Sequence, residues 1–288
     1  MLGLIVYHNE KIIEQWNLTG QNAPATSHLI DDYDQDGVKE IFIFTVHKDS
    51  VFLNCVDAIN RKIEFQHKLI CKAIKDPGGE YDLVILPCAC ADANGDGFKE
   101  VFFSIRSNFA TYPRNMFAYN PRKDSVLISP ESCSLILEPE MTDIDGDSVP
   151  EFMARLTHAT GNCELNRKYS DQFCWLMVFT PEMKFKFPPV SFNAYPSVTK
   201  FIPIKTGTSY HILIMHVYQG QENHPSFLAL FDATGKPIRK KNIDDPESWV
   251  YSALFTNDDE FENIFILKTD GCVLSVDSML QLKYKTRI

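Results

Sequence analysis

One nonapeptide organises the chain: Asp32-Tyr33-Asp34-Gln35-Asp36-Gly37-Val38-Lys39-Glu40. It returns 60 residues later as Asp92-Ala93-Asn94-Gly95-Asp96-Gly97-Phe98-Lys99-Glu100, and 51 residues after that as Asp143-Ile144-Asp145-Gly146-Asp147-Ser148-Val149-Pro150-Glu151. Oxygen-bearing side chains stand at positions 1, 3, 5 and 9 of each copy, and a stretch typical of a buried strand follows each one. We call these copies the first, second and third acidic loops.

The alternating oxygen side chains suit a hard cation. Ca²⁺ takes about six to eight oxygen ligands at about 2.3–2.6 Å, so a tight loop that turns alternate side chains inward supplies most of a coordination shell. Glycine at position 6, as in Gly37 and Gly97, permits the sharp turn because it adopts positive φ without strain. An EF-hand differs, since its bidentate Glu stands at position 12 and helices flank its loop.

The sequence predicts two to three structural Ca²⁺ sites, each with four side-chain ligands and the carbonyl of position 7. Nonapeptides rich in Asp, Asn and Gly also form ordinary turns between strands, but three copies favour calcium. The third copy is the weakest, because Ser148 replaces glycine and Pro150 stiffens the exit. The predicted ligands are Asp32, Asp34, Asp36, Val38 and Glu40; Asp92, Asn94, Asp96, Phe98 and Glu100; and Asp143, Asp145, Asp147, Val149 and Glu151.

The repeat extends beyond the loops, because further short strands and polar turns follow each one, and two later units keep this hairpin without an acidic loop. Such a repeat predicts an all-β fold, a β-propeller of about six or seven four-stranded blades in a single domain over 1–288. A β-sandwich is the alternative, but it does not predict self-similar units of this length. The predicted units are an incomplete blade at 1–25 and blades at about 26–85, 86–137, 138–196, 197–247 and 248–288.

Composition and charge limit the function. The formal net charge of −10 argues against a nucleic-acid surface, which needs a basic stripe. No run of about 18 apolar residues occurs, so we expect no membrane insertion by this segment. The stretch 1–7 is unlike a signal peptide, because its apolar run is short and no basic region precedes it. The protein is then intracellular, or this chain is a piece of a longer one, as the incomplete first blade also suggests.

The eight cysteines match no zinc-binding spacing. Two interpretations remain open. The cysteines are buried free thiols, or a Cys163–Cys174 disulfide closes a polar loop.

Enzymatic motifs do not occur: the sequence has no H-E-x-x-H pair, no G-x-S-x-G elbow and no phosphate-binding loop. Its paired carboxylates stand where a metal would keep them ionised, the opposite of a general acid's raised pKa. We therefore expect no enzyme. The enzymatic alternative is a calcium-assisted polysaccharide lyase, in which calcium acidifies the α-proton of a uronate and Lys or Arg acts as base.

The connections between the first and second strands of the middle units are long and rich in aromatic, His and Arg residues. Equivalent connections lie on one face of a propeller, where loops commonly carry function. Such a face would suit a glycan or another flat polar ligand, although long loops also merely tolerate insertion. The candidate ligand-binding residues are Phe109, Tyr112, Arg114, His158, Tyr169, His216, Tyr218 and His224.

The D-x-D-x-D-G-x-x-E loops leading into apolar strands resemble the FG-GAP/VCBS class of propeller repeats, as in integrin α-chains and many bacterial surface proteins. The hairpin at Phe231–Lys236 is also similar to quinoprotein-type repeats. Together with Tyr112-Pro113-Arg114 and Trp175–Phe179, the loops resemble the propeller sensor segments of large membrane histidine kinases of Bacteroidetes. The resemblance implies calcium ligation by the four side chains of each acidic loop, with ions that are structural and not catalytic.

These observations predict a non-catalytic, calcium-stabilised β-propeller that serves as an extracytoplasmic ligand-recognition or sensing module in signal transduction. We expect a periplasmic or extracellular location, as part of a longer secreted or membrane-anchored protein, and a glycan or a protein as partner. The alternatives are a calcium-dependent carbohydrate-active enzyme and a structural interaction domain of a surface adhesin.

Overall fold

The computed structural model describes residues 3–8, 11–17, 25–57, 59–60, 62–75, 81–107, 110–163, 168–192, 195–206, 209–220, 226–243, 250–258, 261–268, 270–277 and 280–287. The regular elements of this part are all β-strands, and the pairings between them are antiparallel. The all-β prediction is confirmed. The described residues contain no helix that could cross a membrane.

The chain divides into two compact units, Met1–Glu140 with Pro181–Lys184 and Met141–Thr180 with Phe185–Ile288. The single domain predicted from the sequence stays a prediction, and we describe each unit by itself. Before the first four-stranded sheet, strands β1 (Gly3–His8) and β2 (Lys11–Asn17) form a separate hairpin.

The first unit contains two four-stranded meanders. One is formed by β3 (Ala25–Asp31), β4 (Glu40–His47), β5 (Ser50–Asp57) and β6 (Lys62–Lys72). The other is formed by β8 (Val84–Ala91), β9 (Glu100–Arg106), β11 (Asn115–Asn120) and β12 (Ser125–Ile128). The short strands β7 (Ile74–Lys75) and β10 (Ala110–Tyr112) pair with each other. Both meanders lie where the sequence predicts a unit.

The second unit also contains two meanders. One is formed by β18 (Ser197–Thr206), β19 (Ser209–Tyr218), β20 (Phe227–Asp232) and β21 (Pro237–Asn242). The other is formed by β22 (Val250–Asp258), β23 (Phe261–Lys268), β24 (Cys272–Asp277) and β25 (Leu282–Arg287). Both lie within predicted units.

The segment predicted as a blade at 138–196 is less regular. It contains β13 (Leu137–Thr142), β14 (Glu151–Ala159), β15 (Cys174–Leu176), β16 (Val178–Phe179) and β17 (Val190–Phe192). The first half of β14 pairs with β16, and its second half pairs with β18, which belongs to the following meander. Strand β15 pairs with β17 instead. Strand β14 also pairs with β13. The plain meander expected for this segment does not form, because the other edge of β14 is shared between β16 and β18.

Aromatic and aliphatic side chains fill the core on both faces of the inner strands. In the first unit Phe44, Phe103 and Phe117 are fully buried, with the ring centroids of Phe44 and Phe103 4.7 Å apart and those of Phe103 and Phe117 5.4 Å apart. In the second unit Ile212 and Leu213, neighbours on β19, are both fully buried. Successive residues of a strand point to opposite faces, so the inner strands are covered on both sides.

The structure contradicts one of the two interpretations of the cysteines, the Cys163–Cys174 disulfide. Cys174 is a buried free thiol, whereas Cys163 is disulfide-bonded, so a Cys163–Cys174 bridge is wrong. The Sγ of Cys174 instead lies 3.5 Å from the carbonyl oxygen of Thr157 and 3.4 Å from the hydroxyl of Ser197. Cys174 therefore fills the core where β15 lies against β14 and β18. The free-thiol interpretation is confirmed for Cys55, Cys71, Cys174 and Cys272, which are buried and unbridged.

One buried amide fixes the register of the first meander. Asn54 on β5 is fully buried; its Nδ2 donates to the carbonyl of Ile43 at 3.2 Å, and its Oδ1 accepts from the N–H of His67 at 2.9 Å. His67 has φ 58° and lies on β6 opposite a register shift between Leu53 and Cys55. The amide therefore satisfies the backbone donor that this β-bulge removes from the ladder.

We predict that Asn54→Ala lowers the free energy of unfolding by about 1–3 kcal/mol, because it leaves the partly buried N–H of His67 without its acceptor. Urea denaturation measures the change. Gln66→Ala, at an exposed position beside the bulge, is the matched control and should be neutral. Equal stabilities for the two variants would contradict this role of Asn54.

Candidate metal centre

The first acidic loop joins β3 to β4 and gathers carboxylates. The side chains of Asp32, Asp34 and Asp36 each offer an oxygen within 4.8 Å of the other two. The two oxygens of Asp32 accept the N–H groups of Asp36 at 3.1 Å and Gly37 at 3.0 Å, and Asp36 accepts that of Val38 at 2.7 Å. These bonds hold the backbone in a turn that points the position 1, 3 and 5 side chains inward.

The glutamate at position 9 ties the end of the loop to its beginning. Glu40 is the first residue of β4, its side chain is buried, and its Oε2 accepts the N–H of Tyr33 at 3.2 Å. Burial raises the pKa of Glu40 to about 7, and the neighbouring carboxylates of Asp34, Asp36 and Asp32 add to the rise. A carboxylate held in this way is stabilised by any cation that enters the loop.

The second acidic loop, between β8 and β9, repeats these bonds at the same positions. Asp92 accepts the N–H groups of Asp96 at 3.0 Å and Gly97 at 2.9 Å, and Glu100 accepts that of Ala93 at 3.1 Å. Positions 4 and 6 have positive φ in both loops, with 60° and 92° in the first and 72° and 83° in the second. The predicted turn at Gly37 and Gly97 is confirmed.

The first two loops also contact each other. The side chain of Gln35 donates to the carbonyl of Gly97 at 3.1 Å, and the N–H of Lys99 donates to the carbonyl of Tyr33 at 2.7 Å. The ammonium of Lys99 pairs with Asp31 at 2.7 Å, just outside the first loop. The two loops therefore form one continuous surface of the first unit.

The second loop differs in its charge. Asn94 replaces an aspartate, and its amide nitrogen donates to Glu100, which also accepts from Asn120 at 2.6 Å. The exposed Lys123 places its ammonium 3.3 Å from Asp96 Oδ2. This loop therefore holds less uncompensated negative charge than the first.

The third acidic loop contains a lysine. The Lys186 ammonium lies 2.5 Å from Asp145 Oδ2 and 2.5 Å from Glu151 Oε1. Glu151 is the buried first residue of β14 and accepts the N–H of Ile144 at 3.0 Å, as its counterparts do in the other loops. Burial raises the pKa of Glu151, and the hydrogen bond from Lys186 opposes the rise.

The donor sets of the first two loops fit a hard cation, because their inward oxygens belong to carboxylates and one amide. Among the described residues, no Lys or Arg forms an ion pair with Asp32, Asp34, Asp36 or Glu40. The N–H of position 7 donates to the position 5 carboxylate in all three loops. Ligation of the ion by the carbonyls of Val38, Phe98 and Val149 stays a prediction.

The candidate ligand-binding residues do not form one group. Phe109 and His224 lie outside the described residues. Arg114 is fully buried and donates to the carbonyls of Ser107, at 2.7 Å, and Cys133. His216 is buried, bonded to the hydroxyl of Thr199 at 2.8 Å.

Tyr218 is also buried. The burial of Arg114, His216 and Tyr218 removes their side chains from a surface that a ligand could reach, so we do not carry these three into a proposal. Tyr112, His158 and Tyr169 are partly exposed, and their predicted role stays a prediction.

The structure adds an aromatic cluster that sequence spacing did not show. Tyr169 packs edge-to-face on Trp175, with 5.2 Å between ring centroids, and on Phe185, at 5.3 Å. Phe173 also packs against Trp175, and the indole N–H of Trp175 donates to the carbonyl of Ser170 at 2.8 Å. We call Tyr169, Phe173 and Trp175, all partly exposed, the aromatic cluster.

A buried carboxylate shapes the connection beside this cluster. Asp171 is fully buried and accepts the hydroxyl of Thr160 at 2.6 Å and the N–H groups of Asn162 at 3.1 Å and Cys163 at 2.8 Å. No local sequence signal indicates this role, because the partners are eight to eleven residues away.

Comparison with solved structures identifies similar folds. The V. cholerae biofilm matrix protein Bap1 matches with a TM-score of 0.53 and 12% identity over 95% of this chain, which spans 42% of the length of Bap1. BBS1N in complex with ARL6DN gives a TM-score of 0.45, 9% identity and coverage of 99% and 73% of the two chains. The Dos1 propeller matches with a TM-score of 0.44 and 10% identity over 86% of this chain and 56% of the Dos1 chain. No protein-family model and no curated protein matches the chain.

We predict that Asp34→Asn raises the melting temperature in excess EGTA by about 1–2 °C, because it removes one of three clustered negative charges. The second loop shows that an asparagine keeps the turn, since Asn94 Oδ1 accepts the N–H of Asp96 at 2.9 Å. Differential scanning calorimetry measures the shift, with the exposed Glu138→Gln as control. A lower melting temperature for Asp34→Asn would show that the cluster carries no net repulsion.

Proposed function

We propose that this chain is a non-catalytic, calcium-stabilised β-propeller segment that serves as an extracytoplasmic ligand-recognition or sensing module. The observation that carries the proposal is the shared geometry of the first two acidic loops. Each places inward oxygens from positions 1, 3 and 5 above a buried position 9 glutamate. A geometry that repeats in two sheets is more specific than one acidic turn.

Calcium would be held by Asp32, Asp34, Asp36 and Glu40 in the first loop and by Asp92, Asn94, Asp96 and Glu100 in the second. Bound there, the ion supplies positive charge and joins the loop to the first residue of β4 or β9. The side chains already orient themselves through backbone N–H groups, so little ordering is needed when the ion binds.

The four-stranded meanders support the propeller architecture. Propeller blades are four-stranded antiparallel sheets repeated around an axis, and four meanders overlap the units predicted at about 26–85, 86–137, 197–247 and 248–288. The resemblance to FG-GAP/VCBS repeats points the same way. A ring of about six or seven blades, an incomplete first blade and a place in a membrane sensor kinase are the finer parts of the proposal.

The aromatic cluster supports recognition of a flat polar ligand. Tyr169 has φ 51°, its ring is fixed by Trp175 and Phe185, and the ammonium of Lys168 lies 5.4 Å from the ring centroid. Rigid aromatic rings with adjacent donors provide stacking area at a low entropic cost. We propose a glycan as the ligand of this cluster.

We predict that saturating Ca²⁺ raises the melting temperature by roughly 5–10 °C over excess EGTA, because an ion that binds only the folded state stabilises it. Equal Mg²⁺ should do less, since it requires near-octahedral geometry and sheds water reluctantly. Asp36→Ala should shrink the calcium shift, and Glu138→Gln should not. An identical melting temperature in calcium and EGTA would overturn the calcium proposal.

We predict that the chain binds members of an array of neutral and uronic-acid oligosaccharides, and that Tyr169→Ala weakens this binding at least about tenfold through lost stacking. Tyr284→Ala, at an exposed tyrosine of the last sheet, is the control. Asp36→Ala should bind as the wild type does, because its loop is structural. Failure to bind any oligosaccharide, or equal binding by Tyr169→Ala, would contradict a glycan site at the cluster.

A further inference from the structure

The third acidic loop departs from the other two at the point where an ion would sit. In the first two loops the N–H of position 5 donates to the side chains of positions 1 and 3. In the third loop Asp143 still accepts the N–H of position 6, from Ser148 at 3.0 Å, but its other oxygen accepts the N–H of position 4, from Gly146 at 2.6 Å. Asp145, at position 3, turns to the ammonium of Lys186.

Lys186 is placed for this contact by its own backbone. Its N–H donates to the carbonyl of Val178 at 2.9 Å, and the preceding Phe185 forms a β-bridge with Phe179 and packs on Tyr169. The side chain then reaches Asp145 and Glu151 with about a fifth of its surface exposed. An ordered, largely covered lysine at this point is unlike the exposed Lys123 beside the second loop.

The chemistry of an ammonium explains why it can replace the ion. It carries positive charge and three donors, which satisfy the buried Glu151 and the adjacent Asp145. A Ca²⁺ between the same oxygens would lie within a few ångströms of Lys186 and be repelled by it. Ser148 at position 6 keeps a positive φ of 70°, so the turn survives while the oxygens are used differently.

We propose that Lys186 takes the place of the ion in the third acidic loop, which is therefore closed without calcium. This inference rests on the proposed function for its contrast with the first two loops. It revises the expected two to three Ca²⁺ sites to two. Asp143, Asp145 and Glu151 cluster as a site would, but Asp145 and Glu151 already form ion pairs with a lysine of the same chain.

Calcium stoichiometry of the full chain, measured by equilibrium dialysis with Ca²⁺ alone, tests the assignment. The wild type should bind two ions, Asp36→Ala and Asp96→Ala should each bind one, and Asp145→Asn should still bind two. Three ions in the wild type, falling to two in Asp145→Asn, would overturn the inference while leaving the calcium proposal intact.

Thermal melting in excess EGTA tests the lysine itself. Lys186→Gln should melt at least about 5 °C below the exposed-site control Lys184→Gln, because it leaves Glu151 buried without a cation, and Lys186→Arg should recover most of the loss. Equal melting of the Lys186→Gln and Lys184→Gln variants would overturn the inference. If the wild type binds no calcium, the calcium proposal fails, and this comparison alone decides the role of Lys186.

Discussion

A buried glutamate at the start of a strand is the interaction on which the acidic loops depend. Glu40, Glu100 and Glu151 each begin the second strand of their segment, and each accepts the N–H of position 2 in the preceding loop. The bond ties the entry of the loop to its exit, so the nonapeptide closes on itself before any cation is considered. Because the carboxylate is buried, its charge must be compensated locally.

The three loops compensate this charge in different ways. In the third, an ammonium from the same chain reaches the glutamate. In the second, Asn94 and Asn120 donate to it, and an asparagine replaces one carboxylate. Among the described residues, the first loop has neither an ammonium nor an asparagine amide at its glutamate, and burial together with the neighbouring carboxylates raises the pKa of Glu40 to about 7. The demand for an external cation therefore decreases from the first loop to the third, although the three sequences look alike.

The sequence predicted what is encoded locally. The positions that turn inward, the positive φ at position 6 and the strand that follows position 9 are all set within nine residues, and the structure shows them. Four meanders overlap the predicted units, because turn residues and apolar runs are also local signals. Sequence reasoning could not place Lys186 in the third loop, because 35 residues separate it from Glu151.

The same limit explains why Arg114 and His216 were predicted as ligand-binding residues. Arg114 and His216 look like surface donors in a polar segment, but long-range packing buries both. The Cys163–Cys174 bridge was an inference from spacing along the chain, and the core position of Cys174 against Ser197 depends on contacts that spacing does not contain. The aromatic cluster likewise forms because β15 and the bridge at Phe185 bring Trp175 and Phe185 to Tyr169. Function assigned from loop composition alone is therefore less secure than function assigned from side chains that the fold holds in place, and this favours the cluster over the more numerous polar residues of the loops.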